Sequence, residues 1–78
     1  MGKGQAQIAN TIRTLRFNAG EMTQAALAEK VGVTRQTIVA IEQGKYSPSL
    51  EVAFRIARAF GAPLEQVFQY EAGDSPTG

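Results

Sequence analysis

The sequence predicts an all-α fold, five short helices around one core, and three observations carry that expectation. Apolar residues recur three and four positions apart within short separate segments, the spacing of one helix face. A Thr or Ser stands before several of these segments and a Gly follows most of them, as helix starts and stops require. No segment alternates apolar and polar residues in the manner of a half-buried strand, and there is no internal repeat.

Ile8, Ile12 and Leu15 fall at i, i+4 and i+7, so a first helix is expected from about Gln5 to Phe17, ended by Gly20 and the Met22-Thr23 step. Thr23 is placed to cap a second helix, Gln24 to Val31, by accepting a backbone N–H that the first turn leaves without a partner. Gly32 stops it, because the stop needs a positive φ that glycine adopts without steric cost. Thr34 caps the third helix. Leu27, Val31, Val33, Ile38 and Ile41 point to a shared core, and Ala28 is small where the two helices cross. Gly44 to Pro48 reads as a loop, since Pro48 disfavours helical geometry in Ser47 and lacks a backbone donor. Ser49 caps a fourth helix, about Leu50 to Phe60, with Leu50, Ala53, Phe54, Ala57 and Phe60 on neighbouring turns, Ile56 beside them, and Arg55 and Arg58 toward solvent. After Gly61, Pro63 opens a short fifth helix through about Phe68. The domain is thus placed at residues 5–70, and residues 71–78, which lack core-forming side chains, as a disordered tail.

A chain of 78 residues encloses one small core and is only marginally stabilised by burial, so a second subunit would help it. No apolar run approaches the ~20 residues that span a bilayer, and Met1 to Gln7 is too polar for a signal peptide. Membrane attachment is not expected. Cysteine and histidine are both absent, which removes disulfides, thiolate chemistry and most zinc sites, so neither metal nor cofactor is expected. With no Asp outside the tail either, acid–base and nucleophilic machinery is nearly missing, and the chain reads as a non-enzyme. It fits a reducing cytoplasm.

The net charge of +1 hides a division: residues 1–58 hold all eight Lys and Arg and four acids, a net +4, whereas residues 59–78 hold three acids and no base. The basic part contains the stretch Gln24 to Gly44, QAALAEKVGVTRQTIVAIEQG, which reads as two helices joined by a tight turn. That is the pattern of a helix-turn-helix, whose second helix enters the major groove of DNA. Its outward residues are the candidates for reading bases. Arg35 can fork onto O6 and N7 of guanine, Gln36 can bond N6 and N7 of adenine, and Thr34 can meet a phosphate or a thymine methyl. Val39 and Ala40, one turn on, offer apolar contact. The alternative for Arg35 and Gln36 is plain solvated surface. Phosphate contacts are expected where a helix N-terminus favours an anion, at Thr23 and Gln24, with Thr37 and, beyond the third helix, Lys45, Tyr46 and Ser47. For Tyr46 the alternative is partial burial against the fourth helix.

The segment QAALAEKVGVTRQTIVAIEQGKYSPSLEVAFRIARAFG resembles the Xre/Cro family, small helical DNA-binding domains of phage repressors and many prokaryotic regulators. The Gln opening the second helix, the Ala and Gly spacing, the Ile-x-x-Ile-Glu-x-Gly ending and the Pro-Ser-Leu that follows are all in register, and the likeness covers roughly Ile8 to Tyr70. It implies a λ-repressor-like fold, base contacts from the positions named above, and a phosphate contact at Gln24. The turn Asn18 to Thr23 is about one residue longer than the family's usual junction. The resemblance also implies a pair between Arg16 and Glu42, against the alternative of an exposed Arg16.

One recognition helix reads only a few base pairs, whereas two related by a dyad read a palindrome with half-sites ~34 Å apart, so a homodimer on double-stranded DNA is expected. Leu64, Val67, Phe68 and Tyr70 are the candidate interface, the alternative for Leu64 and Phe68 being the monomer core. Function then reads as a sequence-specific transcriptional regulator, by analogy a repressor. The competing reading is an antitoxin-like module that binds a partner protein and autoregulates its operon.

Overall fold

In the computed structural model, residues 8–70 are described, and they run β1 (Ile8–Asn10), α1 (Ile12–Asn18), α2 (Gln24–Val31), α3 (Arg35–Glu42), α4 (Leu50–Phe60), α5 (Leu64–Val67), β2 (Phe68–Tyr70). The five expected helices are present, and α2 and α4 begin and end where their caps placed them. Thr23 accepts a hydrogen bond from the Ala26 N–H at 2.9 Å, Thr34 from Thr37 at 3.1 Å and Ser49 from Val52 at 3.2 Å. Each such cap is worth about 1 kcal/mol. At the other ends, Gly32 (φ 84°) and Gly61 (φ 65°) take the left-handed conformation that closes α2 and α4.

The first helix is shorter than expected. It starts at Ile12, and Ile8–Asn10 is a strand that pairs antiparallel with β2 in the register Ile8↔Tyr70, Ala9↔Gln69, Asn10↔Phe68. The local reason is Asn10. Its Oδ1 accepts from the Ile12 N–H at 3.1 Å while its Nδ2 donates to the Ile41 carbonyl at 3.0 Å, an arrangement that gives the backbone an alternative to helix. Thr11 fastens the junction by donating from its backbone N–H to the Val67 carbonyl (2.9 Å) and from its hydroxyl to the Gln66 carbonyl (2.7 Å). For the same reason α5 ends at Val67, and Phe68, expected in the helix, is extended. The residues called a tail, 71–78, and the expected helical start at residues 5–7 lie outside the described residues.

Ile12, Leu27, Val31, Ile38, Ile41, Ile56 and Val67 fill the centre, each essentially without exposed surface, with Ala28 and Ala57 buried among them. Leu15, Met22, Val33, Val52, Phe60, Leu64 and Phe68 pack around them, half-buried. The buried line of α4 is Ala53, Ile56 and Ala57, so Leu50 and Phe54, expected on the core stripe, stand out at 67% and 48% exposed. Arg55 ties α4 to α2: its Nη1 donates to the Val31 carbonyl at 3.2 Å, at the end of α2, and its Nη2 to Glu51 Oε2 at 2.7 Å.

Candidate nucleic-acid interface

Helix α3 buries Ile38 and Ile41 and leaves its first turn outside. Thr34, Arg35 and Gln36 are exposed, while Thr37, Val39 and Ala40 are half-buried, their outer edges continuing the same face. The Thr34 hydroxyl is committed to capping and shares a further hydrogen bond with the Thr37 hydroxyl at 3.0 Å. That leaves these two threonines a methyl group and little hydrogen-bonding freedom, whereas Arg35 and Gln36 keep all of theirs. Among the described residues neither makes an ion pair or a side-chain hydrogen bond, so the guanidinium fork and the amide are available to a base edge.

The second part of the face is the N-terminus of α2. With Thr23 capping Ala26, the N–H groups of Gln24 and Ala25 point outward at the positive end of the helix. Gln24 itself is half-buried, and its Nε2 donates to Glu42 Oε1 at 3.2 Å. The amide nitrogen carries two hydrogens, so one remains for a phosphate oxygen. Lys45, Tyr46 and Ser47 lie exposed in the loop that follows α3, Tyr46 at 50%. That loop leaves α3 through hydrogen bonds from the Gly44 N–H to the Ile41 carbonyl and from the Lys45 N–H to the Ala40 carbonyl.

Glu42 joins the two parts. Arg16 donates to it twice, Nε to Oε2 at 2.7 Å and Nη2 to Oε1 at 3.1 Å, and donates again from Nη1 to the Met22 carbonyl at 2.8 Å. The pair implied by the resemblance is therefore formed, and it is largely enclosed, with side-chain exposures of 15% and 10%. One carboxylate at the end of α3 thus holds the end of α1 and the first side chain of α2, and Arg16 in turn holds the α1–α2 turn. This network fastens the start of α2 to the end of α3. The resemblance implied the Arg16–Glu42 pair, against an exposed Arg16, but nothing in the sequence pointed to the bond from Gln24 to Glu42 or from Asn10 to the Ile41 carbonyl, since single polar residues at element ends give no periodic signal.

The expected self-association residues divide. Val67 has no exposed surface and belongs to the core, so it has nothing to give a partner. Leu64 and Phe68 are half-buried, and Tyr70 is 70% exposed. Leu64 and Phe68 line an apolar groove of about 310 Å³ together with Ile8, Pro48, Leu50 and Ala53. Leu50 and Phe54, one helical turn apart, extend that surface along α4. Among the described residues no helix is long and apolar enough to cross a membrane, and no three His, Cys, Asp or Glu side chains gather to hold a metal.

Comparison with known proteins agrees with this geometry. The helix-turn-helix family model HTH_3 matches residues 12–67, from the start of α1 to the end of α5. An uncharacterized HTH-type transcriptional regulator of Methanocaldococcus jannaschii, MJ0272, is 60% identical over 50 residues, which is 64% of this chain and 76% of that protein. The cryptic phage CTXphi transcriptional repressor RstR of Vibrio cholerae is 34% identical over 56 residues, 72% of this chain and 50% of that one. Among solved structures, a hypothetical transcription factor from Neisseria, NHTF, superposes with a TM-score of 0.65 at 29% identity, over 70% of this chain and 62% of that one. With the fold, the capped two-helix unit and the matched span all in register, the chain belongs to the helix-turn-helix family of the Xre/Cro type.

Proposed function

We propose that this protein is a sequence-specific, DNA-binding transcriptional regulator that represses from a palindromic operator as a homodimer. The observation that carries the reading is the two-sided build of α3: Ile38 and Ile41 are sealed in the core while Arg35 and Gln36, in its first turn, stand exposed. An α-helix with one face anchored and the other carrying a fork and an amide is suited to a major groove about 12 Å wide. Arg35 reads guanine and Gln36 reads adenine, with Val39, Ala40 and the Thr34 methyl supplying apolar contact to thymine. Gln24, the α2 N-terminus, Lys45, Tyr46 and Ser47 hold phosphates on either side and fix the register, carrying no sequence information themselves. Thr23 and Thr37 serve the backbone through the helix ends they shape. Repression is supported by the likeness to RstR, which bears that name.

The homodimer rests on the exposed apolar surface. Leu50, Phe54 and Tyr70 beside the groove of Leu64 and Phe68 form a patch that a second copy covers, with Val67 supporting it from the core. The test is selection of bound sequences from random and genomic DNA by the wild-type protein. An inverted repeat with half-sites one helical turn apart is expected. Enrichment of a single, non-repeated motif would refute the dyad, and absence of any enrichment would refute sequence reading altogether.

A further inference from the structure

Four of the seven basic side chains of the described residues are accounted for: Arg16 is held by Glu42, Arg55 by Glu51 and the Val31 carbonyl, and Arg35 and Lys45 lie on the proposed reading face, while Lys30 and Arg58 line a separate cleft with Arg55. Arg13 is in neither set. It is exposed, it makes no ion pair or side-chain hydrogen bond among the described residues, and it lines a cleft of about 320 Å³ with Arg16, Phe17, Glu21, Met22 and Thr23. Thr23 is the residue that caps α2, so this cleft adjoins the start of that helix.

We infer that Arg13 holds a second DNA phosphate, next along the strand from the one clamped at the start of α2; this rests on the DNA-binding reading above. The sequence does not mark Arg13, which is an exposed polar position on a helix. Its place beside the clamp is set by the long turn from Asn18 to Thr23. There the Met22 N–H donates to the Arg16 carbonyl (2.9 Å) and the Glu21 N–H to the Phe17 carbonyl (3.0 Å), folding the chain back against α1. Phe17, 66% exposed, lines the same cleft and is unable to compete for an anion. Arg16, whose charge is paired with Glu42 and which also donates to the Met22 carbonyl, adds no unpaired charge to the cleft. Glu21 works against the contact, because its carboxylate shares the cleft and repels a polyanion. Arg13 therefore supplies a flanking contact without base information, and Glu21 tempers it.

The experiment titrates the full chain with the operator selected by the wild type, across a series of salt concentrations. Each neutralised phosphate contributes a slope of about −0.9 to log K against log salt. Arg13→Gln is expected to lower the magnitude of the slope by about that amount and leave the selected motif unchanged. Glu21→Gln is expected to tighten binding to all sequences. Arg58→Gln, which removes the same charge from α4 in a separate cleft with Lys30 and Arg55, is the control and should leave the slope unaltered. An unchanged slope in Arg13→Gln, or an equal loss in Arg58→Gln, overturns the inference while leaving the reading of DNA intact. A wild type that selects no motif and shows no salt dependence removes that reading itself.

Discussion

Removing the Glu42 carboxylate is the most informative perturbation of the fold. It strands the Arg16 guanidinium, 15% exposed, with the Met22 carbonyl alone, and frees the Gln24 amide. Breaking a fully buried pair from one side costs about 3–5 kcal/mol, because the remaining charge stays desolvated. The residual exposure of both side chains lowers this to about 2–4 kcal/mol for Glu42→Leu. For a domain of this size each kcal/mol moves Tm by about 4–8 °C, so a fall of roughly 8–32 °C is expected. Arg16→Met should cost a similar amount. The double replacement, however, removes both desolvation penalties and fills the space with apolar volume, so it should cost about 1–3 kcal/mol less than the sum of the two single losses. Denaturant unfolding of the four proteins measures this cycle. Single effects that simply add would refute the account of a coupled, enclosed pair. DNA affinity should not recover in the double variant, since Gln24 has lost the carboxylate that orients it.

Other outcomes follow from the same structure. Ile56→Ala, at a position with no exposed surface, should cost about 2–5 kcal/mol by thermal or denaturant unfolding. Leu50→Glu and Tyr70→Ala should leave monomer stability nearly unchanged but shift the sedimentation coefficient toward the monomer, since both side chains stand about two-thirds exposed beside the groove. Glu21 adopts a φ of 60°, a conformation that costs a Glu about 1 kcal/mol and an Asn less, so Glu21→Asn should raise Tm by a few degrees.

The sequence was most legible where a local chemical device decides an element end. Thr23, Gly32, Thr34, Ser49 and Gly61 all act as the caps and stops their types predict, and they bracket α2 and α4 to the residue. It was least legible at the two chain ends. Ile8 sits four residues before Ile12 and so mimics a helical stripe, yet it pairs with Tyr70. Strands of three residues are too short to show alternation, and their partner lies some sixty positions away. The apolar stripe of α4 was readable as a stripe but not its centre: Leu50 and Phe54 fit the helical period as well as Ala53 and Ala57 do, and only the packing of α2 and α5 decides which line is covered. Val67, expected at an interface, lies in the core for the reverse reason, because a four-residue helix gives no hint that one of its side chains is fully buried. On the candidate site, the exposed first turn of α3 was evident from spacing alone, whereas the Gln24–Glu42 bond depends on how three helices meet.

The central claim, that Arg35 reads a base while Lys45 holds the backbone, is tested most directly by comparing the motifs selected by wild type, Arg35→Ala and Lys45→Ala under one salt condition. Arg35→Ala should relax preference at one position in each half-site and cost about 1–3 kcal/mol of specific binding. Lys45→Ala should keep the motif and weaken all sequences alike, with a shallower salt dependence. An Arg35→Ala protein that selects the wild-type motif unchanged would contradict the claim.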